Sequence, residues 1–133
     1  MLIFIGMAPI LWYSKKQGSI ESSSFGSELS AMKTAVEKVE GLRYKLRMMG
    51  VPLDGPTYIK ADNMSVVHNC SKPESQLKKK SNSIAYHYVR ERCSGQSPVC
   101  SVTYIPSRFN KADMLTKSQP GSVRKELAEG VLF

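Results

Sequence analysis

Apolar residues in this chain fall into short dense runs and one long periodic stripe. Leu2 to Ile5 and Ile10 to Tyr13 are two apolar runs separated by Gly6-Met7-Ala8-Pro9, the pattern of a hairpin of buried strands. After the polar stretch Lys15-Lys16-Gln17-Gly18, Ser22-Ser23-Ser24 offers hydroxyls suited to capping a helix. Phe25, Leu29, Met32, Val36, Val39, Leu42, Leu46 and Met49 then recur at steps of three and four. That spacing predicts one apolar stripe on a long helix, stopped at Gly50. Thr57 to Ala61 reads as a strand ending at Asp62-Asn63, and Met64 to Asn69 as a short helix with Val66 and Val67 inward.

Ser71 to Ser83 is polar and basic and reads as a loop. Ile84 to Cys93 resumes helical character, with Ile84, His87 and Tyr88 on one face and His87 read as a core histidine; Ser94-Gly95 closes it. Val99 to Ile105 alternates as a strand does, and Pro106 ends it. Asn110 is placed to cap a helix carrying Ala112, Asp113, Leu115 and Thr116. Pro120-Gly121 breaks that helix, and Ser122 to Leu132 forms a last helical piece. Strands interleaved with helices in this order predict an α/β domain whose mixed sheet is flanked by helices. Trp12 and Tyr13 alternate sides of their strand, and Trp12 is read as core.

Composition narrows the class. The chain has 133 residues, enough for one domain with an ordinary core. Hydrophobic residues make up 41% and charged residues 23%, which excludes a disordered tail, a collagen-like fibre and a polytopic membrane protein. The opening apolar run lacks a preceding basic residue and is broken by Gly6 and Pro9. It is far short of the ~20 apolar residues that a membrane span requires, so no membrane partner is expected. Lysine plus arginine number 19 against 11 acids, a formal net charge of +8, which points to a polyanionic partner. Cys70, Cys93 and Cys100 form no Cys-x-x-Cys pair, and with His68 and His87 they complete no zinc spacing. They read as reduced packing residues of a cytoplasmic or nuclear chain that is not secreted.

Three carboxylates sit at comparable places. Glu28 lies in the expected first turn of the long helix, Asp62 where a strand gives way to a short helix, and Asp113 in the first turn of the late helix. Each has an ordinary explanation, since acids favour helix starts and Asp62 can cap its helix. Together they suggest another. Carboxylates converging at one sheet edge repel unless a cation lies between them, and hard oxygen ligands select Mg²⁺ or Mn²⁺.

Motifs in order carry a family resemblance. Pro9-Ile10-Leu11-Trp12-Tyr13-Ser14-Lys15-Lys16-Gln17 resembles the Trp-x-Ser-Lys-Lys-Gln strand of the ribonuclease H domain of Ty1/copia-type retrotransposon Pol polyproteins. Ser23-Ser24-Phe25-Gly26-Ser27-Glu28-Leu29 resembles that family's Ser-Ser-x-Glu-Ala-Glu-Tyr helix start, and Ala61-Asp62-Asn63-Met64-Ser65 its Cys-Asp-Asn-x-Ser step. Tyr86-His87-Tyr88-Val89-Arg90-Glu91 resembles its Tyr-His-x-x-Arg-Glu helix. Tyr104-Ile105-Pro106-Ser107 and Lys111-Ala112-Asp113-Met114-Leu115-Thr116-Lys117 resemble its Tyr-Val-Pro and Ala-Asp-x-Leu-Thr-Lys close.

The resemblance covers residues 9 to 117. It implies a ribonuclease H-like domain over 1–117, with 118–133 as a C-terminal helical tail. It also implies an Asp-Glu-Asp-Asp site that cuts the RNA of an RNA–DNA hybrid during reverse transcription, beside a reverse transcriptase module of the same polyprotein. In such a site two Mg²⁺ (or Mn²⁺) ions activate a water and neutralise the leaving oxygen. By position Glu28, Asp62 and Asp113 match three of the four carboxylates, with Asp62 the bridging candidate.

The departures are specific. The family's first aspartate sits on the central strand ahead of the hairpin. Here no acid precedes Glu21, so that ligand and the first, central strand are expected to be lacking. Gly26-Ser27 replaces Glu-Ala before the glutamate, and Ser81-Asn82-Ser83 stands where a His-Ile-Asp run is usual. The expected product is truncated and, as this chain, silent or a non-catalytic remnant with weak nucleic-acid affinity. Lys15, Lys16, Lys78, Lys79 and Lys80 are candidates to track a phosphate backbone, or else simply solvated charges. Histidines are present, but no nucleophile-elbow pattern accompanies them, which sets a serine or cysteine hydrolase aside.

Overall fold

The computed structural model describes residues 1–15, 18, 23–72 and 82–132. Its contacts divide the chain into two compact units, Ser19–Tyr104 and the pair of segments Met1–Gly18 and Ile105–Phe133. Each is described in turn.

The larger unit begins with helix α1, Ser24–Met48. Ser23 caps it in an extended conformation, its hydroxyl accepting the Gly26 amide at 3.3 Å. The predicted stripe is buried at Leu29, Met32, Val36 and Val39. Further along it opens to solvent, and Met49 is 68% exposed. The helix stops where expected. Gly50 takes φ +77°, which an L side chain tolerates poorly. Its amide donates to the Arg47 carbonyl at 2.9 Å and that of Val51 to Leu46 at 3.0 Å, a Schellman closure.

Strand β3, Thr57–Ala61, leads through Asp62 into helix α2, Met64–Ser71. Helix α3, Ser83–Cys93, returns the chain to strand β4, Cys100–Tyr104. β3 and β4 pair in parallel with Thr57 opposite Cys100 and Ala61 opposite Tyr104. A parallel pair needs a crossover, and α2 and α3 supply it. Core side chains from α1, α2, α3 and β4 form one cluster that includes Val36, Val66, Val89, Cys70 and Cys100. Arg43 ties α1 to the start of β3, donating to Thr57 Oγ1 and to the Gly55 carbonyl, each at 2.9 Å.

The face of α3 differs from the expected one. Tyr86 and Val89 are buried, while Ile84 is 77% exposed and His87 lies on the surface. Positions 82, 86, 89 and 93 form an equally regular stripe, and it brings a tyrosine ring, a valine and a cysteine to the core in place of His87. The thiols behave as packing groups. Cys70 and Cys100 are fully buried and Cys93 is half-buried, none in a disulfide.

The smaller unit holds an antiparallel hairpin of β1, Leu2–Ile5, and β2, Ala8–Trp12. The second strand starts earlier than predicted because Gly6, at φ +59°, and Met7 suffice for the turn. Ile3 pairs with Leu11 but Phe4 with Pro9, so Ile10 is the extra residue of a bulge. Pro9 is tolerated beside that irregularity. Trp12 is 70% exposed, not core. Along β2 half-buried Pro9 and Leu11 alternate with exposed Ile10 and Trp12, so only one face of the strand is covered.

After β4 the chain makes two 3-10 turns, Ser107–Phe109 and Lys111–Leu115, and then helix α4, Gly121–Leu132. The helix predicted from Asn110 is thus a 3-10 turn. Asn110 does cap it, accepting the Ala112 amide at 3.2 Å, but Pro120 leaves little room to elongate. α4 packs against β2 and the Lys111–Leu115 turn, burying Leu127.

The architecture is mixed α/β, as expected, but the strands form two separate two-stranded sheets, β1–β2 and β3–β4, where a single mixed sheet was predicted. No described helix is long and apolar enough to cross a membrane.

Candidate active site

Glu28 lies one turn further into α1 than the sequence suggests. With Ser23 as the cap, it is the fifth helical residue, and no acid occupies the first turn. Its half-buried place is therefore not explained by capping or by the helix dipole, which acts mainly over the first turn. Asp62 is half-buried between β3 and α2. Capping of α2 falls to Asn63 rather than to Asp62. Asn63 Oδ1 accepts the Ser65 amide at 2.9 Å and the Val66 amide at 3.3 Å. Two adjacent residues with capping chemistry stand there, and an alternating strand pattern cannot tell which will turn toward the helix.

Asp113 is the most buried of the three, at 7% exposure. Its Oδ2 meets Lys117 Nζ at 2.6 Å and its Oδ1 accepts from Asn110 Nδ2 at 3.1 Å. The turn that carries it is held to the hairpin by Ser14, whose hydroxyl donates to the Leu115 carbonyl at 3.1 Å. Burial lowers the pKa of the Met1 amino group, an effect that the charge of Asp113 partly opposes. Lys117 was legible as a partner, since an acid and a lysine four residues apart meet on one side of a helical turn.

Glu28 and Asp62 belong to the larger unit and Asp113 to the smaller. Their oxygens suit a hard divalent cation by type. Among the described residues, however, no three Asp, Glu, His or Cys side chains are gathered so as to hold a metal ion. Lys15 is exposed at the end of the hairpin; Lys16, Lys78, Lys79 and Lys80 lie outside the described residues.

Comparison with known proteins shows what the chain resembles. No protein-family model matches the chain. No solved structure matches it either. Two curated proteins of Arabidopsis thaliana do, the retrovirus-related Pol polyproteins from transposons RE1 and RE2. Each is 28% identical over 116 residues, 87% of this chain. The chain spans 8% of the length of these relatives, and what it resembles is one stretch of a retrotransposon Pol polyprotein.

Proposed function

We propose that the chain is a ribonuclease H-type domain of a copia-like Pol polyprotein. In its complete form such a domain hydrolyses the RNA of RNA–DNA hybrids during reverse transcription, using Mg²⁺ or Mn²⁺, in the cytoplasm or nucleus and beside the polyprotein's reverse transcriptase module. One observation carries the reading: the likeness to Pol polyproteins runs over 116 residues, a length that takes in most of the ordered motifs around Glu28, Asp62 and Asp113. Asp113 is paired with Lys117, and in the proposed reading this chain by itself binds the hybrid without cutting it.

The test uses an end-labelled RNA annealed to DNA, incubated with the purified chain and Mg²⁺. The expected result is no cleavage, with binding to the hybrid preferred over duplex DNA of the same sequence and weakening steeply as salt rises. Metal-dependent cleavage abolished by Asp62→Asn would overturn the silent reading and establish the active one. Loss of any preference for the hybrid would overturn both.

A further inference from the structure

A second surface points beyond hydrolysis. In the larger unit the helices lie against one side of the β3–β4 pair, where Cys100 and Val102 are buried and Ile59 and Ala61 pack on the core cluster. Side chains alternate along a strand, so the other side presents Tyr58, Lys60, Ser101 and Thr103. The register sets Tyr58 beside Ser101 and Lys60 beside Thr103. Tyr58 is 72% exposed, Lys60 and Thr103 are exposed, and Ser101 is half-exposed. Parallel strands are usually covered on both faces and read as apolar throughout. Here the outer face carries one aromatic ring, one ammonium and two hydroxyls, a poor bed for an apolar helix.

We infer that this open face binds single-stranded nucleic acid. The Tyr58 ring offers a stacking platform for a base, Lys60 a charge for the adjacent phosphate, and Ser101 and Thr103 donors to phosphate or sugar oxygens. Charge complementarity favours this occupant: Lys60 is the charged member of the face, in a chain of net +8, and a strand of nucleic acid supplies both the negative charge and the flat rings that an ammonium beside an exposed tyrosine accommodates. The inference is independent of the nuclease reading, because it uses neither the carboxylates nor a metal.

The experiment measures fluorescence anisotropy of a labelled oligo(dT) with the full chain in the presence of chelator. Wild-type protein should bind, and Tyr58→Ala should weaken binding about five- to hundredfold, the usual range for one stacked base. Tyr58→Phe, which keeps the ring, should bind like the wild type. Lys60→Gln should reduce the slope of log affinity against log salt by about 0.7, the value of one phosphate contact on a single strand. Both side chains are exposed, so circular dichroism of the variants should match the wild type. The inference fails if wild type does not bind, if Tyr58→Ala and Lys60→Gln bind unchanged, or if Tyr58→Phe is as weak as Tyr58→Ala. Equal affinity for polyglutamate, lost in the same variants, would instead assign the face to an acidic polypeptide.

Discussion

Lys117 holds its ammonium 2.6 Å from the Oδ2 of Asp113, four residues earlier, and so supplies the positive charge that a buried carboxylate requires. The pair is asymmetric: the Asp113 side chain is 10% exposed and that of Lys117 57%. Water screens the lysine end, so the interaction is worth less than a fully buried pair.

Replacing the lysine should therefore destabilise modestly. Lys117→Met is expected to cost about 1 kcal/mol, because Asp113 keeps its bond from Asn110 but loses its counter-charge. Asp113→Asn combined with Lys117→Met should recover part of that loss. A double-mutant cycle from urea midpoints checks the coupling, and strictly additive effects would show that the pair contributes nothing.

A second cluster joins α1 to α3. Glu40 accepts the Tyr88 hydroxyl on Oε2 and Arg92 Nε on Oε1 at 3.1 Å, while the Arg92 guanidinium lies 4.0 Å over the Tyr88 ring. Glu40→Ala leaves both donors without this acceptor and should lower stability by about 1–2 kcal/mol, at unchanged denaturant slope. Tyr88→Phe keeps the ring under the guanidinium and should cost less. Urea unfolding followed by circular dichroism measures both, and equal losses would refute the ordering.

Alkaline pH should loosen the fold. Burial pushes the Cys70 and Cys93 thiols up to about 12 and that of Cys100 to about 11, from an ordinary value of 9.0. Burial and then the bond to Glu40 push the Tyr88 phenol up to about 12 from 10.0. Each group ionises more readily in the unfolded chain than in the folded one. The stability they contribute is thus complete below about pH 9 and is lost as pH rises toward about 12. Urea midpoints at pH 7, 9, 10 and 11 should fall across the last three, and Tyr88→Phe should reduce the fall above pH 10. A midpoint constant from pH 7 to 11 would contradict this account. At pH 8 the native thiols should react slowly with a disulfide reagent, and all three promptly in denaturant.

Much of the local structure was legible because it is governed by near neighbours. The α1 stripe from Leu29 to Val39, its stop at Gly50, the Thr57–Ala61 strand and the Asn110 cap all follow from spacing and backbone chemistry within a few residues. The departures from the local pattern share a different cause. On α3 two stripes of equal period competed, and the choice of Tyr86 and Val89 over Ile84 and His87 was made by the surface the helix packs on. Trp12 is apolar enough for a core, yet the single covered face of β2 fell to Pro9 and Leu11.

The candidate carboxylates divide the same way. Sequence by itself determined which acids stand at element junctions, the +8 charge and the likeness to a Pol polyprotein, since these are properties of residue order and composition. Tertiary structure alone decided that Asp113 is buried and that Tyr58 and Lys60 share an open sheet face with Thr103. Those outcomes depend on strand register and burial. The Asn63 cap and the Asp113–Lys117 spacing are local, but the burial of Asp113 and the exposed face shared by Tyr58, Lys60 and Thr103 are set by contacts between residues far apart in the chain.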